Sequence, residues 1–202
     1  MRRIAVAAAL LLATACASTQ KIALPAPGRE NLAPAVAGTP GPGETLREYD
    51  LNHDGRTDLW IYSVKGSTDG KEVMVRKEKD LNNDGRIDSW EFYQADGTLA
   101  RLTYDMDFDG KPDVTLHYEK DQLVRKEYAF GFDGIPHSSS YYEKNRLVRK
   151  ERDSNGDGKV DIWEYWENGE VDRVGVDNDG DGLVDRWETR KTAQGPEATP
   201  SK

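Results

Sequence analysis

The 202-residue chain has one cysteine and three histidines. A single thiol cannot build a disulfide framework, and no Cys or His cluster is spaced to hold zinc. His53, His117 and His137 are scattered; none stands beside a nucleophile in a recognisable motif, and there is no phosphate-binding glycine loop. Catalysis has no foothold in these residues, so an enzyme is not expected. The apolar run from Ile4 to Leu12 is well short of the ~20 residues of a membrane span. Positive charge is scarce too, with 28 Lys and Arg against 37 Asp and Glu. Nucleic acid, whose phosphates need a basic face, is excluded as a partner.

What is present starts with "MRRIAVAAALLLATACAST". Arg2 and Arg3 precede the apolar run, and small residues lead on to Cys16. These are the parts of a secretory signal. The ending "LATAC" resembles a bacterial lipoprotein signal, with Ala13 where that family usually has Leu, and Leu12 one place further back. The resemblance implies removal of residues 1–15 and acylation of Cys16. The mature chain would then be exported and anchored by its lipid to a bacterial membrane, as an outer-membrane, periplasmic-face or surface lipoprotein. The alternative is an ordinary cleaved signal in which Cys16 is incidental. Without Arg2 and Arg3, 26 basic residues face 37 acids, a net charge of −11. Such a surface is either solvated or holds clustered carboxylates that attract cations.

Residues 16–44 are rich in Pro, Ala and Gly without apolar period and read as a disordered tether; 191–202 read as a disordered tail. Between them, residues 45–190 form a tandem array. Aligned on Asp-Gly pairs, its copies are "DLNHDGRTDLW" from Asp50, "DLNNDGRIDSW" from Asp80, "DMDFDGKPDVT" from Asp105, "AFGFDGIPHSS" from Ala129, "DSNGDGKVDIW" from Asp153 and "DNDGDGLVDRW" from Asp177. After each acidic loop comes a short aromatic or β-branched segment, a turn such as "ENGE" or "QADGT", and a second short segment. That is a hairpin signal. The expected fold is all-β: tandem β-hairpin repeats of about 24 residues in an elongated, twisted antiparallel meander. Helices flanking the loops do not fit, because 12 residues including "ENG" separate Glu164 from Asp177 and helices average ~11 residues each.

Calcium takes six to eight oxygens, and a twelve-residue loop supplies them from positions 1, 3, 5, 7, 9 and 12, with Gly at position 6 for the turn. Three loops are complete. The first has Asp80, Asn82, Asp84, Asp88 and Glu91 with the Arg86 carbonyl. The second has Asp153, Asn155, Asp157, Asp161 and Glu164 with the Lys159 carbonyl. The third has Asp177, Asp179, Asp181, Asp185 and Glu188 with the Leu183 carbonyl. Two more are partial and suit weaker calcium sites: Asp50, Asn52, Asp54 and Asp58, with Ile61 at position 12, and Asp105, Asp107, Asp109 and Asp113, with Leu116 there. The loop from Ala129 keeps only Asp133 and Gly134 and is expected to bind nothing. The bland alternative is that Asp, Asn and Gly merely build polar turns.

These loops resemble those of EF-hands, dockerins and thrombospondin type 3 repeats, over roughly a dozen residues each. Dockerins would need a long amphipathic segment after the loop, and thrombospondin type 3 repeats would bring cysteines; the array has neither. The stretches "YWENGEV", "YYEKNRL" and "HYEKDQL" resemble MORN-type repeats, which implies a β-hairpin array used for scaffolding or binding. Trp60, Trp90, Trp163 and Trp187, followed two residues on by Tyr62, Phe92 and Tyr165, line one strand face. That stripe is expected to be the packing face of the array; a protein or glycan partner is the alternative. The charges of "LVRKE", including Arg125, Lys126, Arg149 and Lys150, are expected on the opposite, solvated face. The functional expectation is an exported, lipid-anchored, non-catalytic calcium-binding repeat protein of the cell envelope with structural ions. The alternatives are an adhesin-like or carbohydrate-binding module, or a MORN-like scaffold with vestigial calcium loops.

Overall fold

The computed structural model describes residues 37–66, 70–130 and 134–189. The signal segment, Cys16, most of the tether, Asp133 and the tail all lie outside the described residues. Contacts divide the chain into Met1–Leu32 and Ala33–Lys202, and everything below concerns the second unit.

Twelve strands alternate with turns: β1 (Glu44–Tyr49), β2 (Leu59–Lys65), β3 (Glu72–Lys79), β4 (Ser89–Tyr93), β5 (Leu99–Tyr104), β6 (Val114–Glu119), β7 (Gln122–Tyr128), β8 (Ser138–Glu143), β9 (Arg146–Arg152), β10 (Ile162–Glu167), β11 (Glu170–Val176) and β12 (Arg186–Thr189). They form one antiparallel sheet in sequence order, with β1 and β12 as its two edges. The expected meander is therefore the observed fold, open rather than closed into a barrel.

The hairpin turns follow from their residues. Lys120-Asp121, Lys144-Asn145 and Asn168-Gly169 all have positive φ at both central positions. This is the type I′ geometry that matches the twist of paired strands. Beyond each turn the register slips by one. Tyr62 faces Arg76 while Ser63 faces Met74, leaving Val75 unpaired. The same slip leaves Ala100, Val124, Val148 and Asp172 unpaired in the four later hairpins. A bulge at one place in every hairpin adds local twist at regular intervals.

Register also decides which residues share a face. One transverse row runs Tyr62–Arg76–Phe92–Arg101–His117–Arg125–Tyr141–Arg149–Tyr165–Arg173 across ten strands. Arg125 and Arg149 thus lie among the aromatics, not on the opposite face as expected; only their neighbours Lys126 and Lys150 point the other way. The bulge explains the difference, since it resets alternation within each second strand. Four of the five arginines sit over the ring of their own hairpin: Arg76 lies 3.6 Å from the Tyr62 centroid, Arg101 4.2 Å from Phe92, Arg149 4.1 Å from Tyr141 and Arg173 4.6 Å from Tyr165. Such contacts contribute about 0.5–1 kcal/mol each at exposed sites, and more when desolvated.

A glutamate in the adjoining row completes three of these units. Tyr62 and Tyr141 each donate their phenol to Glu78 and Glu151 at 2.7 Å. In the middle hairpin His117 replaces tyrosine and meets Glu127 through Nε2 at the same 2.7 Å. The fully apolar core is small: Trp60, Tyr62, Ile87 and Trp90, with Ala37, Leu46, Val75 and Phe92 packed against it. The aromatic stripe is a packing face in the first two repeats, whereas Trp187 remains 49% exposed.

The folded part starts earlier than residue 45. Residues 37–43 fold back over the first hairpin rather than belonging to a disordered tether. The Gly38 N–H donates to the Tyr62 hydroxyl at 3.1 Å, and Arg76 Nη2 donates to the Thr39 carbonyl at 3.3 Å and to Glu44 at 2.9 Å. Glycine suits position 38, because a Cβ there would lie 3.3 Å from Trp60 Nε1.

Burial, with the hydrogen bond to Glu151, pushes the Tyr141 phenol up to about 12, and Tyr62 higher still. A folded-state value above the unfolded one, about 10, means the stabilisation is complete below pH 10. It disappears as the pH rises through about 12. Absorbance titration should therefore show phenols resisting ionisation until the sheet opens. Tyr141→Phe should cost roughly 1–2 kcal/mol in urea unfolding at pH 7 and weaken the alkaline transition.

Candidate metal sites

The acidic loops join β1–β2, β3–β4, β5–β6, β9–β10 and β11–β12, along the sheet edge opposite the hairpin turns. Their backbones repeat one conformation. The fourth residue has positive φ in all of them: His53, Asn83, Phe108, Gly156 and Gly180. So does the sixth, always glycine: Gly55, Gly85, Gly110, Gly158 and Gly182, at 87–90°.

Side chains hold that path by accepting main-chain N–H groups. The first aspartate accepts from the sixth residue at 2.7–2.9 Å in every loop. The fifth-position aspartate accepts from the seventh residue's N–H at 2.7–2.8 Å, involving Arg56, Arg86, Lys111, Lys159 and Leu183. Asn52, Asn82, Asp107, Asn155 and Asp179 accept from the fifth N–H at 2.8–3.1 Å. The ninth-position aspartate reaches back to the second N–H, as Asp88 does to Leu81 at 2.7 Å and Asp58 to Leu51 at 2.8 Å. Each carboxylate is therefore oriented by the main chain.

Three loops bring three carboxylates together, with one oxygen from each within 4.8 Å of the others: Asp105, Asp107 and Asp113; Asp153, Asp157 and Asp161; Asp177, Asp179 and Asp185. The loop from Asp105, incomplete by sequence, is thus among the convergent ones. Its Asp107 supplies a carboxylate where the loops from Asp50 and Asp80 have Asn52 and Asn82. Those two loops share the main-chain pattern without appearing among the convergent groups.

The twelfth-position glutamates stand apart from the loops. Glu91 is taken by Lys79 at 2.6 Å and Lys77 at 3.3 Å, Glu164 by Arg152 at 2.6 Å and Glu188 by Arg186 at 2.9 Å. An extended strand advances about 3.3 Å per residue, so position 12 lies roughly 10 Å beyond position 9. A helix, rising about 1.5 Å per residue, would carry it back toward the loop. The motif's spacing is present, but its geometry needs a helix after the loop, and a strand follows each of these loops.

Electrostatics record the crowding. Burial raises Asp88 above the ordinary carboxylate range, and the charges of Asp80 and Asp84 add to the rise against the N–H bonds from Leu81 and Asn82. Burial likewise raises Asp105. Glu91 is lowered: burial opposes ionisation, and Lys79, Tyr93 and Lys77 outweigh it.

A ladder that no residue pattern announces links the loops sideways. The first residue of each loop donates its N–H to the ninth-position carbonyl of the loop before: Asp80 to Asp58 at 3.0 Å, Asp105 to Asp88 at 2.8 Å and Asp177 to Asp161 at 2.9 Å. The degenerate loop keeps these rungs, through Ala129 to Asp113 and Asp153 to His137. It serves as a connection even with Asp133 as its one acid.

No family model matches the chain, and no curated protein matches it. Among solved structures it is similar to part of the accessory secretory protein 1, 2 and 3 structure of Streptococcus pneumoniae, at 14% identity and a TM-score of 0.34, covering 62% of this chain and 19% of that one. A structure of TarM shares 11% identity with a TM-score of 0.32, over 64% of this chain and 20% of its own. The glycosylation-associated Gap123 complex of Streptococcus agalactiae shares 13% with a TM-score of 0.29, over 68% of this chain and 19% of its own. The chain thus spans about a fifth of the length of these structures, and at such scores the likeness carries no functional argument.

Phe108 holds a left-handed backbone (φ 65°) with a bulky side chain, where the Asp80 loop has Asn83. Phe108→Asn should raise unfolding stability by about 0.5–1 kcal/mol in cation-free buffer, measured by chemical denaturation.

Proposed function

We propose that this is an exported, lipid-anchored calcium-binding repeat protein, a non-catalytic structural or binding module of the cell envelope whose ions pin the connections between β-hairpins. The observation that carries the reading is the convergence of three carboxylates in each of three loops built on one backbone conformation. Donors that are all oxygen suit a hard cation, and a site of irregular coordination favours calcium over the strictly octahedral magnesium. The ligands would be the side chains at positions 1, 3, 5 and 9 with the carbonyl at position 7, and water would complete the shell. Glu91, Glu164 and Glu188 stay on the sheet with their cationic partners.

Such an ion acts as a staple. It cancels repulsion among carboxylates that folding forces together, and it stabilises the folded state by mass action. A site lacking the bidentate twelfth ligand is a weak one, in keeping with extracellular modules that hold calcium at dissociation constants of ~10⁻⁴–10⁻³ M. The resemblance of the N-terminus to a bacterial lipoprotein signal supports an exported location, where such concentrations occur.

Native mass spectrometry and calorimetric titration should find about three to five calcium ions in that range of affinity. Asp161→Asn should remove one ion. Glu164→Gln should leave the stoichiometry unchanged. EDTA should lower the melting temperature and speed proteolysis of the loops. A chain that takes up no calcium above background, or that EDTA leaves equally stable, would refute the reading.

A further inference from the structure

The first hairpin shows what its surface unit can hold. There Tyr62, Arg76 and Glu78 form a phenol–guanidinium–carboxylate set, with residues 37–44 of the same chain lying on it. The Tyr62 hydroxyl accepts the Gly38 N–H, while Arg76 donates to the Thr39 carbonyl and to the Glu44 carboxylate. Beneath that segment Tyr62 and Glu78 are fully buried.

The fourth hairpin repeats the unit in register. Tyr141 faces Arg149 as Tyr62 faces Arg76, and Glu151 faces Ser139 as Glu78 faces Trp60. Each phenol donates to its glutamate at 2.7 Å, and each guanidinium lies over its ring, at 3.6 Å in the first hairpin and 4.1 Å in the fourth. What differs is the occupant. Arg76 grips two carboxylates, Glu78 and Glu44, whereas Arg149 has Glu151, with Nε 3.2 Å from Oε1. The Arg149 and Glu151 side chains keep 27% and 18% exposure, against 13% and 0% for Arg76 and Glu78. Among the described residues no second carboxylate reaches Arg149 at ion-pair distance, where Glu44 reaches Arg76. The third hairpin is a poorer copy, because His117 has no hydroxyl and its Nε2 already meets both Glu127 and Arg125.

We propose that the Tyr141–Arg149–Glu151 unit docks an extended, glycine- and proline-containing acidic segment of a partner protein, seated as residues 37–44 are on Tyr62–Arg76–Glu78. The Tyr141 oxygen accepts a main-chain N–H, and Arg149 takes a main-chain carbonyl and a carboxylate about five residues further on, the spacing of Thr39 and Glu44. Charge complementarity sets the acid: the guanidinium that lacks a second carboxylate is the one left open. The row that places Trp60 against Gly38 places Ser139 here. The open seat is therefore wider and admits a side chain where the chain's own segment has glycine. This site does not depend on calcium.

The test is fluorescence anisotropy of a labelled synthetic peptide with the sequence of residues 35–46, titrated with the full-length chain to about 1 mM, since a seat filled intramolecularly in the first hairpin will be weak between molecules. Saturable binding is expected, weakened about tenfold or more by Arg149→Ala, and comparably when Glu44 of the peptide is replaced by Gln. The altered peptide leaves the protein untouched, so its result stands even where Arg149→Ala disturbs folding. Lys126→Ala, on the opposite face of the sheet, should change binding by less than about twofold. Absence of saturable binding, or binding that both changes leave within about twofold, overturns the proposal. So does a chain that sediments as a dimer dissolved by the peptide, because the seat would then belong to a second copy.

Discussion

Cross-strand register is the constraint on which this molecule rests. Among the described residues no second layer covers either face of the sheet, so stability has to come from within one layer. A typical domain buries a continuous apolar core; here the buried apolar side chains are a handful, clustered in the first two repeats. In their place, pairs directly opposite one another on neighbouring strands carry the load, each contributing a fraction of a kcal/mol to about 1 kcal/mol. A slip of one residue would carry four arginines of the transverse row away from their rings, and Glu78 and Glu151 away from their phenols. The recurring bulge and the type I′ turns therefore do more than reverse the chain. They keep twelve strands in one phase.

The acidic loops and this register form one system. The first and ninth residues of a loop, both aspartates in the loops that could hold a cation, are also the residues whose main chains extend the sheet's ladder. Asp88 accepts from Asp105 through its carbonyl and donates to Lys79 through its N–H, while its carboxylate turns into the loop. Anything that draws the carboxylates together also sets the spacing of the strands on either side. Burial of Asp88 and Asp105 opposes the assembly while they are charged and raises both, whereas main-chain N–H bonds lower Asp50 and, in Asp177, outweigh burial. A bound cation would reverse the sign of that contribution without changing the backbone.

Much of this was legible in the residues. Recurring Asp-Gly pairs, β-branched and aromatic segments between them and short polar turns determine the strands and their order, because each strand pairs with its neighbour in sequence. The shared face of arginines and aromatics was not legible. Strict alternation along "LVRKE" puts Arg125 and Arg149 on the wrong side, and the residue that breaks the alternation, Val124 or Val148, is an ordinary valine with nothing to mark a bulge. The seat of residues 37–43 was hidden for a similar reason. A Pro/Gly/Ala stretch has no apolar period, and here it is held by main-chain groups, which every sequence has. The loops were half legible: their acids are a local pattern, but Asn at position 3 accompanies convergence in the loop from Asp153 and not in those from Asp50 and Asp80, so the pattern alone does not decide it.

The twelfth position shows how flanking structure decides what a motif means. Where a helix follows such a loop, the glutamate swings back beneath the ion, and the site gains a bidentate ligand whose movement can be transmitted to the helix. Where a strand follows, the same glutamate travels outward and finds a cation on the sheet, Lys79 or Arg152 on the neighbouring strand for Glu91 and Glu164, and Arg186 on its own strand for Glu188. The loop loses its link to a movable element, and the sheet gains an ion pair. An ion held by the remaining ligands has no lever to pull, since both flanks are fixed in a register already set by the neighbouring strands. Its effect is confined to holding the connection shut. The geometry of this loop therefore favours a constant structural ion over a signalling one, independently of how tightly it binds.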